Sequence, residues 1–393
     1  SVYSICYYIH IMKIVIAPDS YKGSISALNV ARSVESGIKK VLPNAECSIV
    51  PAADGGDGTL ETLVEGSNGK IRSSEVTGPL GEKRNANWGA LGDGKTAVIE
   101  MALTSGLALV PENQLDPLNA TTFGLGEIIS DALENNFRKF IIGIGGSATN
   151  DGGAGMIQAL GGKLLDSNGQ ELTHGGASLI HLDQIDISTL DSRAKDSDFL
   201  IACDVNNPLC GPEGASAIYG PQKGSTPEMV KQLDKALFHY AKIIRRDLGI
   251  DINSIPGSGA AGGLGGGFVG FLNGKLLPGV DIVLDFINLD DQLKDADLVI
   301  TGEGATDQST IFNKAPIGIA NRAKKFDIPV ISISGSLNEG FKEVHNHGIN
   351  ASFSIINAPM TLNEATENAS DLIASVFGDA GMHTRAAVSA NSL

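Results

Sequence analysis

Residues 140–156 read FIIGIGGSATNDGGAGM, and this stretch carries the clearest structural signal in the chain. Its apolar start, Phe140 to Ile144, predicts a buried strand, and Met156, Ile157 and Leu160 recur at helical spacing. Glycines in the turn between them leave room for a ligand, and a helix start presents N–H groups to an anion. One such loop is equally typical of a tight turn without a ligand. The candidate phosphate-binding residues are Gly145, Gly146, Ser147, Thr149, Asn150 and Asp151.

The order of strand, polar loop and helix also occurs twice at the start of the chain. Lys13–Ala17 and Cys47–Val50 are predicted strands, and Ser26 is expected to cap a helix that reaches about Val41. In parallel sheets ligands bind at the carboxyl ends of the strands, so the loops after these two strands are expected to carry function. These loops contain Asp19, Ser20, Lys22, Asp54 and Asp57.

The middle of the chain has a different pattern, and the last third returns to the first one. Short alternating stretches between Ile71 and Met101 predict antiparallel hairpins. Asp198–Val205 is a predicted strand, and a long amphipathic helix is predicted from about Pro227 to Leu248. The predicted strands of the last third are Asp297–Ile300, Pro329–Ile333 and Ser352–Ile356.

The simplest topology is one parallel α/β domain formed by both ends of the chain, with a mixed α/β domain inserted between them. We expect residues 12–74 and 290–380 to form the first domain and residues 75–289 to form the inserted one. Residues 1–11 and 381–393 are expected to be extensions outside the fold.

Composition restricts the function classes. The 393 residues carry a net charge of −16 at pH 7, which disfavours a nucleic-acid or anionic-membrane surface but allows one bound nucleotide. Four cysteines are too few for a disulfide framework, and Cys203 and Cys210, seven residues apart with no histidine nearby, do not predict a zinc site. No stretch of sequence is apolar for long enough to span a bilayer.

Acidic residues repeatedly follow the predicted strands, most of them beside glycine. Taken singly, each is a typical cap or turn residue. Together they indicate a metal–nucleotide site, because phosphoryl transfer uses carboxylates to hold a divalent cation and to accept a proton. Lys22, Lys223 and Lys314 are cations in or beside these loops, although each alone is typical of a solvated surface. The acidic set is Asp19, Asp54, Asp57, Asp151, Asp204, Glu303 and Asp307.

Gly257 to Gly267 is a second glycine-rich stretch and matches the dinucleotide-binding fingerprint. No apolar strand precedes it, so we interpret it as a helix start packed closely against another segment or a ligand. An NAD(P)-dependent oxidoreductase acting on a small hydroxy acid remains an alternative. A non-catalytic sensor of nucleotides or sugar acids is another.

Several ordered motifs carry a resemblance to a known family. The chain resembles the type 1 glycerate kinase family over about Met12 to Ala380. The matching blocks are Ile16–Ser24, Ala53–Thr59, Gly143–Met156, Ala202–Val205, Asn207–Leu209, Gly220–Gly224, Gly259–Gly263 and Ile300–Gly304.

The resemblance implies an ATP- and Mg²⁺-dependent kinase that phosphorylates D-glycerate directly, with 2-phosphoglycerate favoured over 3-phosphoglycerate as product. It implies a discontinuous flavodoxin-like parallel-sheet domain with an inserted second mixed α/β domain and the active site in the cleft between them. We further expect a cytoplasmic monomer or homodimer whose partner is a small molecule rather than nucleic acid or a membrane.

The resemblance also indicates where to look for the site, while the individual roles are our hypothesis. Asp204 or Asp54 would be the base, with Lys22 as a third catalytic residue, and Glu303 with Asp307 would lie near Mg²⁺. The loop from Gly145 to Asp151 would hold either an ATP phosphate or the glycerate carboxylate. The predicted substrate- and phosphate-binding residues are Asp19, Ser20, Gly145, Gly146, Ser147, Thr149, Asn150, Asp151, Asn207, Lys223 and Gly262.

One block departs from the family pattern. Ala305 stands where the family has Arg, and Asn313 stands where it has the Gly before Lys314. Loss of an Arg removes a bidentate anion clamp, which would weaken the kinase or change its substrate if that Arg contacts the ligand. A structural and variable position is the equally open alternative.

Overall fold

The structure is a computed structural model that describes residues 11–377. Its contacts divide the chain into two compact units. Among the described residues, unit 1 comprises residues 11–54 and 283–377, and unit 2 comprises Gly55–Ile282. The predicted extension 381–393, and 1–11 apart from Ile11, lie outside the described residues. Between residues 11 and 377, no helix is both long and apolar enough to cross a bilayer.

The strands and helices are numbered in chain order. The strands are β1 Lys13–Ile16, β2 Glu46–Ile49, β3 Lys70–Thr77, β4 Lys83–Ala90, β5 Thr96–Glu100, β6 Lys139–Gly143, β7 Lys163–Leu165, β8 Gln184–Asp186, β9 Asp198–Ala202, β10 Lys275–Leu277, β11 Leu298–Thr301, β12 Ala305–Thr306, β13 Val330–Ser334, β14 Ser336–Leu337 and β15 Ala351–Ser354. The labelled α-helices are α1 Ala27–Val41, α2 Thr59–Gly66, α3 Ala102–Ser105, α4 Phe123–Glu134, α5 Ala154–Ala159, α6 Ser192–Lys195, α7 Ala215–Tyr219, α8 Pro227–Leu248, α9 Ala260–Leu272, α10 Gly279–Phe286, α11 Leu289–Leu293, α12 Ala315–Lys324 and α13 Leu362–Glu367.

Unit 1 contains a five-stranded, wholly parallel sheet in the order β15-β13-β11-β1-β2. Strand β1, which pairs with β11 on one side and β2 on the other, is apolar on both faces, since Ile14, Val15 and Ile16 are all buried. Numbered within the unit, the strand order is 2-1-3-4-5, which is the order of flavodoxin-like sheets. The order reverses between β1 and β11, so the crevice at the carboxyl ends of these two strands is where such a sheet binds ligands.

Unit 2 contains a six-stranded mixed sheet in the order β10-β9-β6-β5-β4-β3. Strands β10, β9, β6 and β5 are parallel, whereas β5, β4 and β3 are antiparallel, which confirms the predicted hairpins. The rings of Phe140 on β6 and Phe199 on β9 stack with centroids 4.7 Å apart in the core. Both strand β6 and the helix after it were predicted from the opening stretch.

Local signals placed most elements correctly. Helix α8 has the bounds predicted from its pattern, with Thr226 as N-cap and Gly249 at φ 78° after its last residue. Ser26 caps α1 as predicted, because its side chain accepts a hydrogen bond from the Asn29 N–H.

The predicted domain boundaries at residues 74 and 289 differ from the divisions at Asp54 and Ile282. Helix α2 and strand β3 belong to unit 2, because β3 pairs with β4 along its whole length and α2 packs on β4 and β5. Hydrophobic periodicity identifies these elements but does not say which sheet they join.

Candidate active site

The first group of predicted residues lies at the carboxyl edge of the unit 1 sheet. The N–H of Asp19, just after β1, donates a hydrogen bond of 2.8 Å to the Gly302 carbonyl, just after β11. This bond places Asp19 and Glu303 beside the crevice where the strand order reverses. The strand ends identified in the sequence therefore meet here, as expected for parallel neighbours.

Asp19 is a buried carboxylic acid, with only 9% of its surface exposed. Its Oδ1 accepts hydrogen bonds from the Ser20 N–H at 2.6 Å and the Ser20 hydroxyl at 3.3 Å. Burial, followed by the neighbouring charge of Asp54, raises the pKa of Asp19 to about 7. A carboxyl group with this pKa exchanges its proton readily near neutral pH.

Glu303 is held by hydroxyl groups and a lysine. Its Oε1 accepts hydrogen bonds from Thr310 Oγ1 at 2.6 Å and Thr306 Oγ1 at 3.2 Å. Its Oε2 lies 3.4 Å from the Lys314 ammonium. Burial raises the pKa of Glu303 although these partners oppose the shift. The two threonines give no sequence signal, because they could equally be surface loop residues.

Asp307 acts as a helix cap. Its Oδ1 accepts hydrogen bonds from the Ser309 N–H at 2.7 Å and the Ser309 hydroxyl at 2.6 Å, at the start of a short 3₁₀ segment. The hydrogen bonds from Ser309 lower the pKa of Asp307. Among residues 11–377, no group of three or more acidic, histidine or cysteine side chains is arranged to hold a metal ion.

These residues line a pocket of about 580 Å³ within unit 1. This volume is typical of small-molecule sites, which span roughly 300–1,000 Å³. Ala305, the position where the family has Arg, also lines it. Asn313 has φ 55°, a left-handed conformation that Asn tolerates better than most residues, so it can replace Gly there. The charged residues of the lining are Asp19, Lys22, Asp54, Glu303, Asp307 and Lys314.

The second group of predicted residues surrounds the loop after β6 in unit 2. Lys223 is fully buried beneath it, and its Nζ donates hydrogen bonds to Ser147 Oγ at 2.7 Å and the Thr149 carbonyl at 2.6 Å. Burial lowers the pKa of Lys223 to about 7, and the Asp151 carboxylate opposes this shift. The expectation of a surface lysine is therefore wrong for Lys223, since the chain folds around its amine.

Asp151 is fully buried at the start of α5. Its Oδ2 accepts hydrogen bonds from the Thr122 N–H at 2.8 Å, the Thr122 hydroxyl at 2.9 Å and the Gly155 N–H at 3.3 Å, and its Oδ1 from the Gly153 N–H at 3.1 Å. The hypothesis that these helix-start N–H groups face an anionic ligand needs correction, because the chain's own carboxylate takes them. For the N–H groups of Gly145 to Ser147, binding of an anionic ligand stays a prediction.

The glycine-rich start of α9 supports this loop. Gly262 has φ 69°, and a Cβ there would lie 2.0 Å from the Thr149 carbonyl oxygen. The Gly262 carbonyl accepts a hydrogen bond of 3.0 Å from the Gly152 N–H. The predicted close packing is confirmed, and its partner is the backbone of the candidate loop rather than a dinucleotide.

Hydrogen bonds also hold three other predicted residues of unit 2, Asn150, Asn207 and Asp204. Asn150 is buried and donates from Nδ2 to Ser216 Oγ at 3.0 Å. Asn207 accepts from the Tyr219 hydroxyl at 2.6 Å and donates to the Glu213 carbonyl at 2.8 Å. Asp204 is exposed after β9, and its Oδ1 accepts a hydrogen bond of 3.1 Å from the Gly279 N–H.

The structure thus sorts the predicted residues into two sets. Four residues that hold buried acidic and amide side chains were not predicted from the sequence. Each of them is either distant in the chain from its partner or part of no motif. They are Thr122, Ser216, Thr306 and Thr310. The unit 1 set contains Asp19, Ser20, Lys22, Asp54, Glu303 and Asp307. The unit 2 set contains Gly145, Gly146, Ser147, Thr149, Asn150, Asp151, Asp204, Asn207, Lys223 and Gly262.

Comparison with known proteins gives the relationship directly. A sequence model described as the glycerate kinase family matches residues 14–382. The chain belongs to the glycerate kinase family. It is 54% identical to the glycerate 2-kinase of Escherichia coli K12 over 362 residues, covering 92% of this chain and 95% of the relative. The glycerate kinase of Bacillus subtilis 168 is 51% identical over 360 residues, covering 92% and 94%.

A solved structure agrees with this membership in the glycerate kinase family. The crystal structure of a Salmonella typhimurium LT2 protein, assigned there as glycerate kinase 2, superposes with a TM-score of 0.89 at 50% identity. The match covers 96% of this chain and 99% of that one. The predicted family, its kinase class and the mixed α/β fold with parallel sheets are therefore confirmed.

Proposed function

We propose that the chain catalyses phosphoryl transfer from ATP to the 2-hydroxyl of D-glycerate, with 2-phosphoglycerate and ADP as products. The hydroxyl oxygen forms a bond to the γ-phosphorus, the bond from that phosphorus to the β,γ-bridging oxygen breaks, and the hydroxyl proton passes to a carboxylate. The observation that carries this proposal is 54% identity, over 92% of the chain, to a protein named glycerate 2-kinase. The unit 1 pocket and the loop after β6 in unit 2 carry the charged and polar groups that support this proposal.

Magnesium would be held by Asp19 and Asp54. Mg²⁺ in kinases binds to one or two carboxylates together with phosphate oxygens and water, so a pair of acids is sufficient. Both line the unit 1 pocket, and the charge of Asp54 adds to the effect of burial in raising the pKa of Asp19. The cation would neutralise charge on the phosphates. The metal roles of Glu303 and Asp307 stay predictions, and the contacts of Glu303 favour a role in orienting Lys314.

Glycerate would bind to the loop of unit 2. Gly145 and Gly146 are exposed glycines, and nothing lies within 4 Å of a Cβ built on Gly145, so a carboxylate can approach their backbone closely. Ser147 follows these glycines in the chain and accepts the hydrogen bond of 2.7 Å from Lys223 Nζ. A protonated Lys223 would compensate the negative charge of the substrate.

Asp204 is the proposed base for the acceptor hydroxyl, with Asp54 as the other predicted candidate. Asp204 is exposed at the carboxyl end of β9, and the Gly279 N–H fixes the position of one of its oxygens. A carboxylate that is positioned yet open to solvent can accept a proton from a bound hydroxyl. Lys22, exposed on the unit 1 loop, would compensate charge on the transferred group.

The test replaces Asp204 by Asn. We expect kcat to fall by roughly 10²–10⁴-fold, the usual contribution of a general base, with an unchanged melting temperature. Asp198→Asn, at the opposite end of the same strand and also exposed, is the matched control. Direct detection of 2-phosphoglycerate by ³¹P NMR identifies the product. Normal turnover by Asp204→Asn would reject the base, and phosphorylation only at the 3-hydroxyl would reject the proposed product.

No specific observation favours the oxidoreductase or the sensor. The cytoplasmic location, the oligomeric state and an active site in the cleft between the two domains stay predictions.

A further inference from the structure

The lining of the unit 1 pocket contains two chemically different sets of residues. The charged set includes Asp19, Lys22, Asp54 and Lys314. The apolar set, which we call the apolar wall, consists of Ile355, Ile356, Met360, Leu362 and Ala365. Leu362 is 82% exposed and Ile356 is 37% exposed, so the apolar wall presents large apolar side chains to a ligand. The charged chemistry of the proposed reaction does not explain this wall.

Local hydrogen bonds fix the position of the apolar wall. Leu362 is the first residue of α13, where Thr361 and Glu364 form a reciprocal capping box. The Ile356 N–H donates a hydrogen bond of 3.1 Å to Ser354 Oγ, at the end of β15. Both exposed side chains therefore project from a backbone that is held in place before any ligand binds, which lowers the entropic cost of contact.

We propose that the unit 1 pocket is the nucleotide site, with the base of ATP against the apolar wall and the phosphates directed toward Lys22 and Lys314. The inference rests on the proposed function, because it takes ATP as the phosphoryl donor. It assigns the two ligands to the two units, a choice that the sequence left open for the loop at Gly145.

The shape and chemistry of the pocket select a nucleotide over glycerate. A nucleobase has a flat apolar face that can cover Ile356 and Leu362, whereas glycerate carries a polar group on every carbon. The volume of about 580 Å³ is far larger than a small hydroxy acid needs. The pocket also lies where the strand order of the sheet reverses, which is where doubly wound sheets bind nucleotides.

The charge of the pocket sets a condition on binding. Four carboxylic acids and two lysines line it, so free ATP, itself a polyanion, meets net negative charge. The nucleotide should therefore bind as its magnesium complex, and Asp19 and Asp54 are the residues that would hold the cation. Binding of nucleotide should weaken strongly when magnesium is chelated.

The first experiment measures nucleotide affinity directly in the full chain. Isothermal titration calorimetry with a non-hydrolysable ATP analogue and Mg²⁺ compares wild type with Leu362→Ser. Covering an exposed leucine with the base predicts a loss of roughly tenfold in affinity for this variant. Glycerate affinity should not change. Ile71→Ser is the matched control, because Ile71 is 50% exposed on β3 in unit 2 and does not line the pocket.

A second variant reports on the wall without removing apolar surface. The chain has one tryptophan, Trp88, which is fully buried in unit 2, so Leu362→Trp adds a distinct exposed fluorophore. We expect its emission to be quenched at saturating Mg-nucleotide and to be unaffected by glycerate.

The outcomes separate this inference from the proposed function. Wild-type phosphorylation of glycerate together with an unchanged nucleotide affinity in Leu362→Ser would overturn the assignment alone. So would emission from Leu362→Trp that responds to glycerate but not to nucleotide. A wild-type chain that binds no Mg-nucleotide and transfers no phosphate would overturn both proposals.

Discussion

The buried amine of Lys223 makes a quantitative prediction about stability and pH. Burial lowers its pKa from the ordinary 10.5 to about 7. Between these two values the unfolded chain binds more protons at this lysine than the folded chain does, so unfolding becomes less favourable as pH rises. Below pH 7 the folded state buries a charged ammonium, which lowers the free energy of unfolding. As pH rises from about 7 to 10.5 the buried amine is increasingly neutral, and the free energy of unfolding increases.

The magnitude follows from the linkage relation. One pKa unit corresponds to about 1.4 kcal/mol, and the folded amine is already half deprotonated at pH 7. The site should therefore add about 2 kcal/mol to the free energy of unfolding between pH 7 and pH 9. Lys223→Met removes the titrating group and should flatten the pH profile by this amount. It also leaves Ser147 Oγ and the Thr149 carbonyl without their donor, a loss that does not depend on pH.

The assay is urea unfolding at several pH values for wild type, Lys223→Met and a control. Lys231→Met is the matched control, because Lys231 is exposed on α8. Other titrating groups are shared by all three proteins, so the difference between profiles isolates Lys223. Parallel profiles for wild type and Lys223→Met would refute the reasoning, since they would mean that the amine keeps its proton in the fold.

Three further predictions concern the two sites. Gly262→Ala should destabilise the chain by more than about 3 kcal/mol and impair glycerate binding, because its Cβ would meet the Thr149 carbonyl at 2.0 Å. Gly169→Ala is the control, because Gly169 also has positive φ but a Cβ there would have no neighbour within 4 Å. Comparing the two variants in thermal unfolding separates the cost of backbone strain from the cost of the clash. Asp151→Asn should lower the pKa of Lys223 further by removing the opposing charge, so NMR titration of the Lys223 side chain should shift to lower pH, and an unchanged midpoint would contradict the coupling. Ala305→Arg should lower KM for ATP by several-fold by adding a cation to the pocket lining, whereas an unchanged KM would favour a structural, variable position.

The sequence by itself determined the elements and much of the chemistry. Apolar runs and caps predicted β6, α1 and α8, because these signals act within a few residues. The ordered glycine and acid motifs identified the family, and their positions after strands placed Asp19 and Glu303 at one edge of a parallel sheet.

Only the tertiary structure decided which residues are partners. In the fold Lys223 is buried beneath Ser147, and the Asp151 carboxylate accepts a hydrogen bond from the start of α5. Helix α2 and strand β3 belong to unit 2 rather than to unit 1 as predicted. The fold also leaves Leu362 exposed on a pocket wall. The physical reason is that burial, and with it the shifts in pKa, depends on contacts between segments far apart in the chain, whereas periodicity and capping report only local preferences.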